Sequence, residues 1–408
     1  MKCRFCHNKI EKLFISLGNS PLANSYLKEV DTKQIEPFYP LNVYVCDTCF
    51  YVQAQEVVTP DHIFSDYDYF SSYSPTWLEH SKLYAEQMID KLDLNINSRV
   101  VELASNDGYL LQYFIQREIP VLGVEPAANV AAVAIEKGID TEVIFFGEET
   151  AKILLEKKMG ADLLIGNNVL AHVPRINDFV AGMKVLLKED GVITMEFPHL
   201  KKLVDQCLFD TIYHEHFSYF SFIVVNKIFN SHKLKIYDVD EFPLHGGSLR
   251  IYACHDDNYE KAVTEKVNAL KKIELDEGYE NLETYQDFEN KVKKIRKDLI
   301  DFLKDKKNKG KKIIGYGAPA KGNTLLNYCG IGTDLIDFTV DKNPAKQGKY
   351  LPGSHLPIKS FEEIIKEKPD YIFILPWNFK DEIMSEMEFV KEWGCQFFIA
   401  VPEIEIFK

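Results

Sequence analysis

The sequence predicts an α/β protein in which a short cysteine-bearing segment precedes two units built on parallel sheets. Apolar runs typical of strands alternate with amphipathic runs typical of helices, first from "RVVELAS" to "VITMEFPH" and again from "KKIIGYG" to "QFFIAVPEI". Such alternation predicts parallel sheets covered by helices. Two CxxC pairs lie within the first 50 residues. A chain of 408 residues has room for two or three domains of about 150 residues.

Composition excludes several classes of function. The hydrophobic content of 46% is enough to fill cores, whereas the net charge of −14 argues against a broad nucleic-acid-binding face. No apolar run approaches the ~20 residues that span a bilayer, and "MKCRFCHNKI" lacks the apolar core of a signal peptide. We therefore expect a cytoplasmic protein, a monomer, that binds neither membrane nor nucleic acid.

The element pattern predicts three domains, with limits at 1–75, 76–255 and 256–408. Residues 51–80 are rich in Tyr, Ser and Asp and are predicted to form an irregular connector. Residues 258–309 are charged and helical in pattern, and they predict a connector or two helices. The second alternating unit follows them and is predicted to be a second Rossmann-like domain.

The four cysteines of the first segment predict a structural zinc site. Two CxxC pairs separated by 39 residues supply four thiolates, the set that tetrahedral Zn²⁺ prefers. A segment of this size has little core of its own, so a bound metal would stabilise its fold. Fortuitous thiols or a redox CxxC are the alternatives, and His7 is a weak competing ligand. The predicted ligands are Cys3, Cys6, Cys46 and Cys49.

The stretch "VVELASNDGYLLQYF" predicts a strand, a tight turn and a helix that could hold S-adenosylmethionine. The glycine pattern usual for such turns is met only at Gly108, because positions 104 and 106 are Ala and Asn. Glu125 ends the next strand and could accept hydrogen bonds from both ribose hydroxyls. A dinucleotide is a less suitable ligand, because the glycines are missing, and the other alternative is a Rossmann-like fold whose acidic strand end has no role in cofactor binding. The predicted cofactor-binding residues are Glu102, Ala104, Asn106, Asp107, Gly108, Glu125, Pro126, Asn167 and Asn168.

The second unit carries "IIGYGAPAKGNTLLNY", another turn from a strand into a helix. A free helix N-terminus with Gly317 and Lys321 nearby is a natural pyrophosphate site, and Asp341 ends the next strand where a ribose could lie. A nucleotide-sugar diphosphate is the favoured ligand. NAD and a purely structural domain are the alternatives.

The stretch "TIYHEHFSYFS", residues 211–221, concentrates two histidines, a glutamate and two tyrosines. It could be an acid/base cluster, a metal site or an aromatic loop. Adjacent residues on a strand point to opposite faces, which disfavours a metal site made by His214, Glu215 and His216 together. The same alternation lets His214 and His216 share a face, so a histidine-pair metal site stays open.

Together these motifs resemble the sugar C-methyltransferases that methylate C3 of nucleotide-linked 4-keto-deoxysugars. The resemblance rests on "CRFC…CDTC", "YDYFSSYS", "VVELASNDGYLLQYF", "GVEPAANVA", "GNNVLAHVP", "EFPHL", "TIYHEHFSYFS", "HGGSLR" and "GYGAPAKGNTLLNY", in order along nearly the whole chain. It implies a zinc-binding domain, a class I methyltransferase domain and a C-terminal Rossmann-like domain that helps to hold the nucleotide-sugar.

The resemblance also implies roles for particular residues. His216 resembles the base that removes the C3 proton, and Tyr213, Glu215 and His172 resemble its supporting groups. Tyr67 or Tyr69 would reach the sugar. Tyrosine hydroxyls and a second histidine are expected to donate to the developing enolate oxygen. The expected substrate-binding residues are Tyr69, His214, His245, Gly317, Lys321, Asn323 and Asp341.

Two further side chains are weaker candidates: His199 could line the site, and Arg250 could meet a phosphate. The expected activity is methyl transfer from S-adenosylmethionine to C3 of a nucleotide-linked 4-keto-6-deoxysugar through an enolate. Methylation of a sugar hydroxyl and an inactive zinc-knuckle scaffold are the alternatives.

Overall fold

The computed structural model describes residues 1–59, 70–73, 75–243 and 246–408, and their strands form three sheets. The predicted α/β class, with a small cysteine-bearing unit ahead of two Rossmann-like units, is confirmed. Strands and helices are numbered below in chain order.

The first sheet belongs to the cysteine-bearing unit and is antiparallel. Its order is β1-β2-β3-β9. The strands are Lys12–Ser20 (β1), Tyr39–Val45 (β2), Val52–Ala54 (β3) and Ser218–Tyr219 (β9). Strand β9 comes from the segment "TIYHEHFSYFS" and pairs with β3 at Val52 and Gln53. The stretch singled out in the sequence is therefore part of two units at once.

The second sheet has the order β10-β11-β8-β7-β4-β5-β6, and β11 runs antiparallel to both of its neighbours. The strands are Val100–Leu103 (β4), Val121–Val124 (β5), Thr141–Glu142 (β6), Ala161–Asn167 (β7), Leu187–Pro198 (β8), Leu234–Phe242 (β10) and Ser248–His255 (β11). The nearly continuous apolar run of β7 follows from its central place, because helices cover both faces of a parallel sheet. The carboxyl ends of β4, β5 and β7 meet at one edge.

Helices flank this sheet. They are Pro75–Leu92 (α1), Leu111–Ile115 (α2), Ala128–Glu136 (α3), Glu148–Glu156 (α4), Ile176–Leu186 (α5), Leu200–Asp205 (α6) and Phe222–Ser231 (α7). The start of α7 is fixed twice: the Ser221 hydroxyl accepts from the Val224 amide, and buried Glu274 accepts from the Phe222 and Ile223 amides.

The third sheet has the order β14-β13-β12-β15-β16-β17 and is parallel except at β17. Its strands are Ile313–Tyr316 (β12), Thr339–Val340 (β13), Ile358–Lys359 (β14), Tyr371–Ile374 (β15), Gln396–Ile399 (β16) and Glu405–Phe407 (β17). The remaining helices are Glu265–Asp276 (α8), Glu283–Gln286 (α9), Phe288–Asn308 (α10), Ala320–Cys329 (α11), Glu363–Glu367 (α12) and Lys380–Glu386 (α13).

The charged stretch before the third sheet forms two main helices, α8 and α10, as one of the two alternatives predicted. Helix α10 packs on the cysteine-bearing unit, where the Phe14 and Phe288 rings stack at 4.6 Å. One apolar core therefore runs from the first sheet into the third. The predicted domain limits stay a prediction.

Two local predictions differ from the structure. Helix α1 already begins at Pro75, inside the predicted irregular connector. The pattern of "INDFVAGMKVLLKEDG" predicts a helix along its whole length, but α5 ends at Leu186 and β8 begins at Leu187. The paired strand β7 extends the backbone there, and tertiary pairing overrides local propensity. Within the described part of the chain, no helix has both the length and the apolar character needed to cross a membrane.

Candidate active site

A cavity of about 780 Å³ opens at the carboxyl edge of the second sheet, where β4, β5 and β7 end. All three units line it. The first unit contributes Asn24 and Glu56, and the third contributes Pro319, Ala320, Lys321, Lys346, Pro376 and Phe379. Ligands of open α/β sheets bind at such an edge, so this cavity is the candidate active site.

The turn after β4 has the backbone shape that the sequence predicted. Ala104, Asn106 and Gly108 all have positive φ, at 55°, 50° and 76°. Asparagine tolerates that region, whereas a Cβ on Gly108 would lie 2.0 Å from Ile139 Cδ1. The steric demand for glycine in this turn therefore falls on position 108.

Glu125 lies at the end of β5 and lines the cavity. Its Oε1 accepts from the Ala127 amide at 2.8 Å and its Oε2 accepts from the Asn106 amide at 3.0 Å. Burial raises the pKa of this carboxyl, and the two amides counteract that shift. The carboxylate is therefore held in a fixed orientation and keeps lone pairs available for ribose hydroxyls.

Asn167 ends β7 and is buried against the cavity. Neither its amide nitrogen nor its amide oxygen has a hydrogen-bond partner among the described residues. An unpaired buried amide is costly unless a ligand satisfies it. Asn167 and Glu125 together suit the polar groups of S-adenosylmethionine, and Ala104, Asn106, Pro126 and Asn168 complete the lining on this side.

Three predicted cofactor residues lie behind the turn and do not line the cavity: Glu102, Asp107 and Gly108. Burial raises the pKa of Glu102 well above its usual value, against a hydrogen bond from Tyr109 that lowers it. Asp107 accepts from the Ser72 amide at 3.3 Å and lies 3.6 Å from the Lys137 ammonium. These three residues were expected to contact the cofactor, but in the structure they support the turn.

His216 lies at the end of a turn, where its amide donates to the Tyr213 carbonyl at 2.9 Å. Its Nδ1 donates to the Thr211 carbonyl at 2.8 Å. Because a carbonyl can only accept, Nδ1 carries the hydrogen and Nε2 is the basic nitrogen of the neutral ring. The Tyr213 ring lies against it, with centroids 4.0 Å apart and the ring planes tilted by 33°, and both residues line the cavity.

His172 lies beside His216, with ring centroids 4.8 Å apart. Its Nδ1 donates to the Glu215 carbonyl at 2.9 Å, and burial lowers its pKa to about 4. The ring is therefore neutral at physiological pH, and its Nε2 is an acceptor. His172 is therefore not the second histidine that would donate to an enolate oxygen.

Glu215 is buried at the cavity wall and has a partner from the first unit. Its Oε1 accepts from Asn24 Nδ2 at 2.6 Å. Asn24 was not predicted, because it lies 191 positions from Glu215 in the sequence. Trp77, Phe146 and Lys346 also line the cavity and were not predicted, because single aromatic and basic residues carry no motif.

His214 does not line the cavity. Its ring is buried against the first unit, 6.0 Å from the Tyr39 ring, and burial lowers its pKa. Residues 214–215 form a turn and not a strand, so the alternation that would put His214 and His216 on one face does not apply. The expected substrate contact of His214 is corrected, and the histidine-pair metal site loses its basis.

The third unit places only part of its predicted site at the cavity. Lys321 lines it, near buried Asp210 and over the Trp377 ring at 4.7 Å. Burial lowers the pKa of Lys321 to about 8 and raises that of Asp210 to about 6. Lys346 lies on the same side and donates to the Ala318 carbonyl at 2.9 Å.

Three other predicted residues of this unit have structural partners. Asn323 donates to the Ala23 carbonyl at 2.5 Å and so docks the first unit. Gly317 has a φ of 87° and packs against Pro376. Asp341 accepts from the Ala318 amide at 2.7 Å and the Asn343 amide at 2.8 Å. None of the three lines the cavity, and their expected substrate contacts are corrected to roles in shaping it.

His199 and Arg250 are also structural. Buried His199 pairs with Glu274 at 2.6 Å, and Arg250 pairs with Glu196 at 2.8 Å beneath the cavity. Neither lines the cavity, so the expected phosphate contact of Arg250 is wrong. The predictions for Tyr67, Tyr69 and His245 lie outside the described residues.

The four predicted zinc ligands come together. The sulfur atoms of Cys3, Cys6, Cys46 and Cys49 all lie within 4.8 Å of one another. The two CxxC turns have the same shape, because His7 and Phe50, each four residues after the first cysteine of its pair, both have positive φ. Four convergent thiolates suit tetrahedral Zn²⁺ in a structural site.

The fold and the cavity define a class I S-adenosylmethionine-dependent methyltransferase with a zinc-binding N-terminal domain. Residues 243–402 match the family model described as "C-methyltransferase C-terminal domain", and residues 3–64 match the one described as "Putative zinc binding domain". The chain is 35% identical to the C-methyltransferase NovU of Streptomyces niveus over 406 residues, which cover 98% of this chain and 96% of that protein. The chain belongs to this C-methyltransferase family.

Two solved methyltransferase structures resemble part of the chain. An S-adenosylmethionine-dependent methyltransferase from Clostridium acetobutylicum is 12% identical with a TM-score of 0.36, covering 44% of this chain and 92% of that one. The magnesium protoporphyrin IX methyltransferase (ChlM) of Synechocystis PCC 6803 with bound SAM is 13% identical with a TM-score of 0.33, covering 48% and 88%.

Proposed function

We propose that this C-methyltransferase methylates C3 of a nucleotide-linked 4-keto-6-deoxysugar, with His216 as the base that removes the C3 proton. The observation that carries the proposal is the tautomer of His216. The Thr211 carbonyl fixes the hydrogen on Nδ1, so the neutral ring presents a basic Nε2 in the wall of the cavity. Histidine is suited to this step because its unperturbed pKa of about 6.5 is close to working pH.

Carbon needs activation before it can accept a methyl group. When His216 takes the C3 proton, the electrons of the C–H bond form an enolate, and negative charge develops on the C4 oxygen. The Tyr213 hydroxyl, in the same wall, is the proposed donor to that oxygen. His172 has an acceptor Nε2, so it would accept from a sugar hydroxyl and hold Glu215 through its carbonyl.

When bound, S-adenosylmethionine supplies an electrophilic methyl group on a sulfonium centre. Glu125 and Asn167 would hold it on the side of the cavity formed by β5 and β7. The enolate C3 would then take the methyl group: the new C–C bond would form as the S–CH3 bond breaks, S-adenosylhomocysteine would leave, and the C4 ketone would be restored. His216 keeps the proton until it is lost to solvent.

The third unit is the proposed site of the nucleotide diphosphate. Ala320 begins helix α11, and both Lys321 and Lys346 lie in the cavity wall nearby. A helix N-terminus with flanking cations attracts phosphate groups. Membership of a C-methyltransferase family argues against methylation of a sugar hydroxyl. Methylation of a hydroxyl would not break a C–H bond, whereas methylation of C3 must.

The test is mass spectrometry of reactions with a panel of dTDP-, GDP- and CDP-linked 4-ketosugars plus S-adenosylmethionine. A product heavier by one methyl group, placed on C3 by NMR, is expected for at least one of them. Methylation on oxygen, or at another carbon, would overturn the proposed reaction.

His216→Asn is expected to lower methyl transfer by about 10²–10⁴-fold, because asparagine cannot take a proton at neutral pH. It should also stop solvent deuterium from entering C3 of the ketosugar in the absence of S-adenosylmethionine, since that exchange reports enolate formation alone. His214→Asn is the matched control in the same segment and should leave exchange intact. Exchange at the normal rate in His216→Asn would show that another group is the base.

A further inference from the structure

Phe217 is the residue after the proposed base, and both its backbone amide and its backbone carbonyl form hydrogen bonds. Its amide donates to the Ala171 carbonyl at 2.8 Å, next to His172. Its carbonyl accepts from Arg4 Nη1 at 2.9 Å and from the Ala54 amide at 3.0 Å. The backbone that carries His216 is therefore fixed from downstream by the zinc-binding unit.

Arg4 lies between the zinc ligands Cys3 and Cys6. Its Nη2 donates to the Ala54 carbonyl at 2.8 Å, and its side chain is only 9% exposed. The guanidinium also lies 5.5 Å from the centroid of the Phe217 ring. Arginine suits this place because its planar fork can donate to two carbonyls at once.

The metal-binding turn controls where Arg4 points. Its amide donates to Gln53 Oε1 at 3.0 Å, and Gln53 Nε2 donates to the Cys3 sulfur at 3.4 Å. Gln53 also pairs with Ser218 in the ladder between β3 and β9. One connected set of contacts thus runs from a zinc ligand to the residues directly after His216.

We propose that Arg4 is a positioning residue for the catalytic base, and that the zinc site serves the reaction through it. The bound metal fixes the Cys3–Cys6 turn, the turn fixes Arg4, and Arg4 fixes the Phe217 carbonyl beside His216. This inference deepens the proposed function and rests on it for the role of His216. A displacement of about 1 Å at a reacting group can cost about 10²-fold in rate, so a small loss of order here matters.

The experiment compares three variants of the full-length, zinc-loaded enzyme. Arg4→Gln removes the forked donor, Arg4→Lys keeps the charge and one donor, and Lys9→Gln neutralises an exposed cation of the same unit that pairs with Glu11. We expect Arg4→Gln to lower kcat and deuterium exchange about 10- to 100-fold, with KM and S-adenosylmethionine affinity near normal. Arg4→Lys should recover part of the rate, and Lys9→Gln should match the wild type.

A second readout is independent of turnover. Nitrogen-15 NMR of the histidine rings reports the tautomer and the environment of His216 directly. In Arg4→Gln the His216 ring signals should shift or broaden, while zinc content stays at one per chain. Unchanged His216 signals, or a kcat within twofold of wild type, would overturn the proposal. If Arg4→Gln loses zinc, Arg4→Lys with full zinc is judged by the same two criteria.

The two hypotheses fail in different ways. If His216→Asn still exchanges deuterium, the base is misassigned, yet the effect of Arg4→Gln on the His216 ring would remain. If His216→Asn is inactive and Arg4→Gln leaves both the ring signals and kcat unchanged, the proposed function stands and the role of Arg4 does not.

Discussion

Single backbone contacts decide which side chains can act in this cavity. Glu125 is aimed by two amides, His216 by the Thr211 carbonyl, and His172 by the Glu215 carbonyl. Each contact fixes a rotamer or a tautomer before any ligand arrives. Asn167 differs, because its buried side-chain amide has no hydrogen-bond partner among the described residues, and a bound ligand could supply one.

Glu125→Gln is expected to raise the dissociation constant for S-adenosylmethionine. One charged hydrogen-bond acceptor is lost, which is worth roughly 1.5–3 kcal/mol, or roughly 10- to 150-fold in affinity. Titration calorimetry measures it. Glu136→Gln, on the exposed side of α3, is the control and should bind normally. Unaltered affinity in Glu125→Gln would remove Glu125 from the site.

The depressed pKa of His172 makes stability depend on pH. The pKa is about 4 in the folded protein and about 6.5 in the unfolded chain, so the unfolded chain binds the extra proton between these values. Stability should therefore fall as pH drops from 6.5 towards 4 and change little from this group below that. Denaturant unfolding at several pH values should show a smaller fall in His172→Gln, which cannot titrate. An equal pH dependence in both proteins would contradict this.

Among the secondary-structure elements, the turn between β4 and α2 has a backbone shape that depends partly on local sequence and partly on packing. Asparagine at 106 supplies positive φ by its own tolerance, whereas glycine at 108 is demanded by the neighbouring Ile139 side chain. The turn at residues 213–216, which carries the proposed base, is similar, since it is closed by its own hydrogen bond and then held by strand β9.

Gly108→Ala should destabilise the protein by more than a positive φ alone can explain. The new Cβ would lie 2.0 Å from Ile139 Cδ1, and overpacking typically costs about 1–3 kcal/mol. Gly138→Ala is the matched control, because its φ of 83° is also positive but no atom lies within 4 Å of the added Cβ. Chemical denaturation compares the two. Equal losses would show that the Ile139 contact relaxes freely.

At the scale of the whole molecule, the cavity exists because three units meet. The first unit is tied to the third through Asn323 and Ala23, and to the second through strand β9. Asn24 on the first unit reaches Glu215 on the second, and Tyr26 donates to the Ala318 carbonyl of the third at 2.6 Å. Movement of one unit would therefore displace residues in the cavity wall.

Cys46→Ser should lose the zinc and lower the thermal stability of the first unit, because metal binding is coupled to folding in such sites. Metal analysis should fall from about one zinc per chain to near zero, and calorimetry should show an earlier transition. Cys254→Ala, a buried cysteine outside the cluster, is the control and should keep its zinc. A metal-free Cys46→Ser protein that melts like the wild type would contradict a structural role.

Features that are local in the chain can be predicted from the amino-acid sequence alone. These are the two alternating units, the four cysteines in paired turns, the acidic strand end at Glu125 and the Tyr-His-Glu-His stretch. Each depends on periodicity or spacing over a few residues, and such patterns can be recognised without knowledge of the fold. The sequence could not separate Glu125, which lines the cavity, from Glu102, which lies beneath it.

Which of these residues share a site depends on how distant segments pack together. His214 and His216 are two positions apart, yet a turn sends one to the first sheet and the other to the cavity. Asn24 and Glu215, or Arg4 and Phe217, are far apart in sequence and are joined by hydrogen bonds. The physical reason is that burial, tautomer and partner are set by packing between distant segments, which no local pattern records.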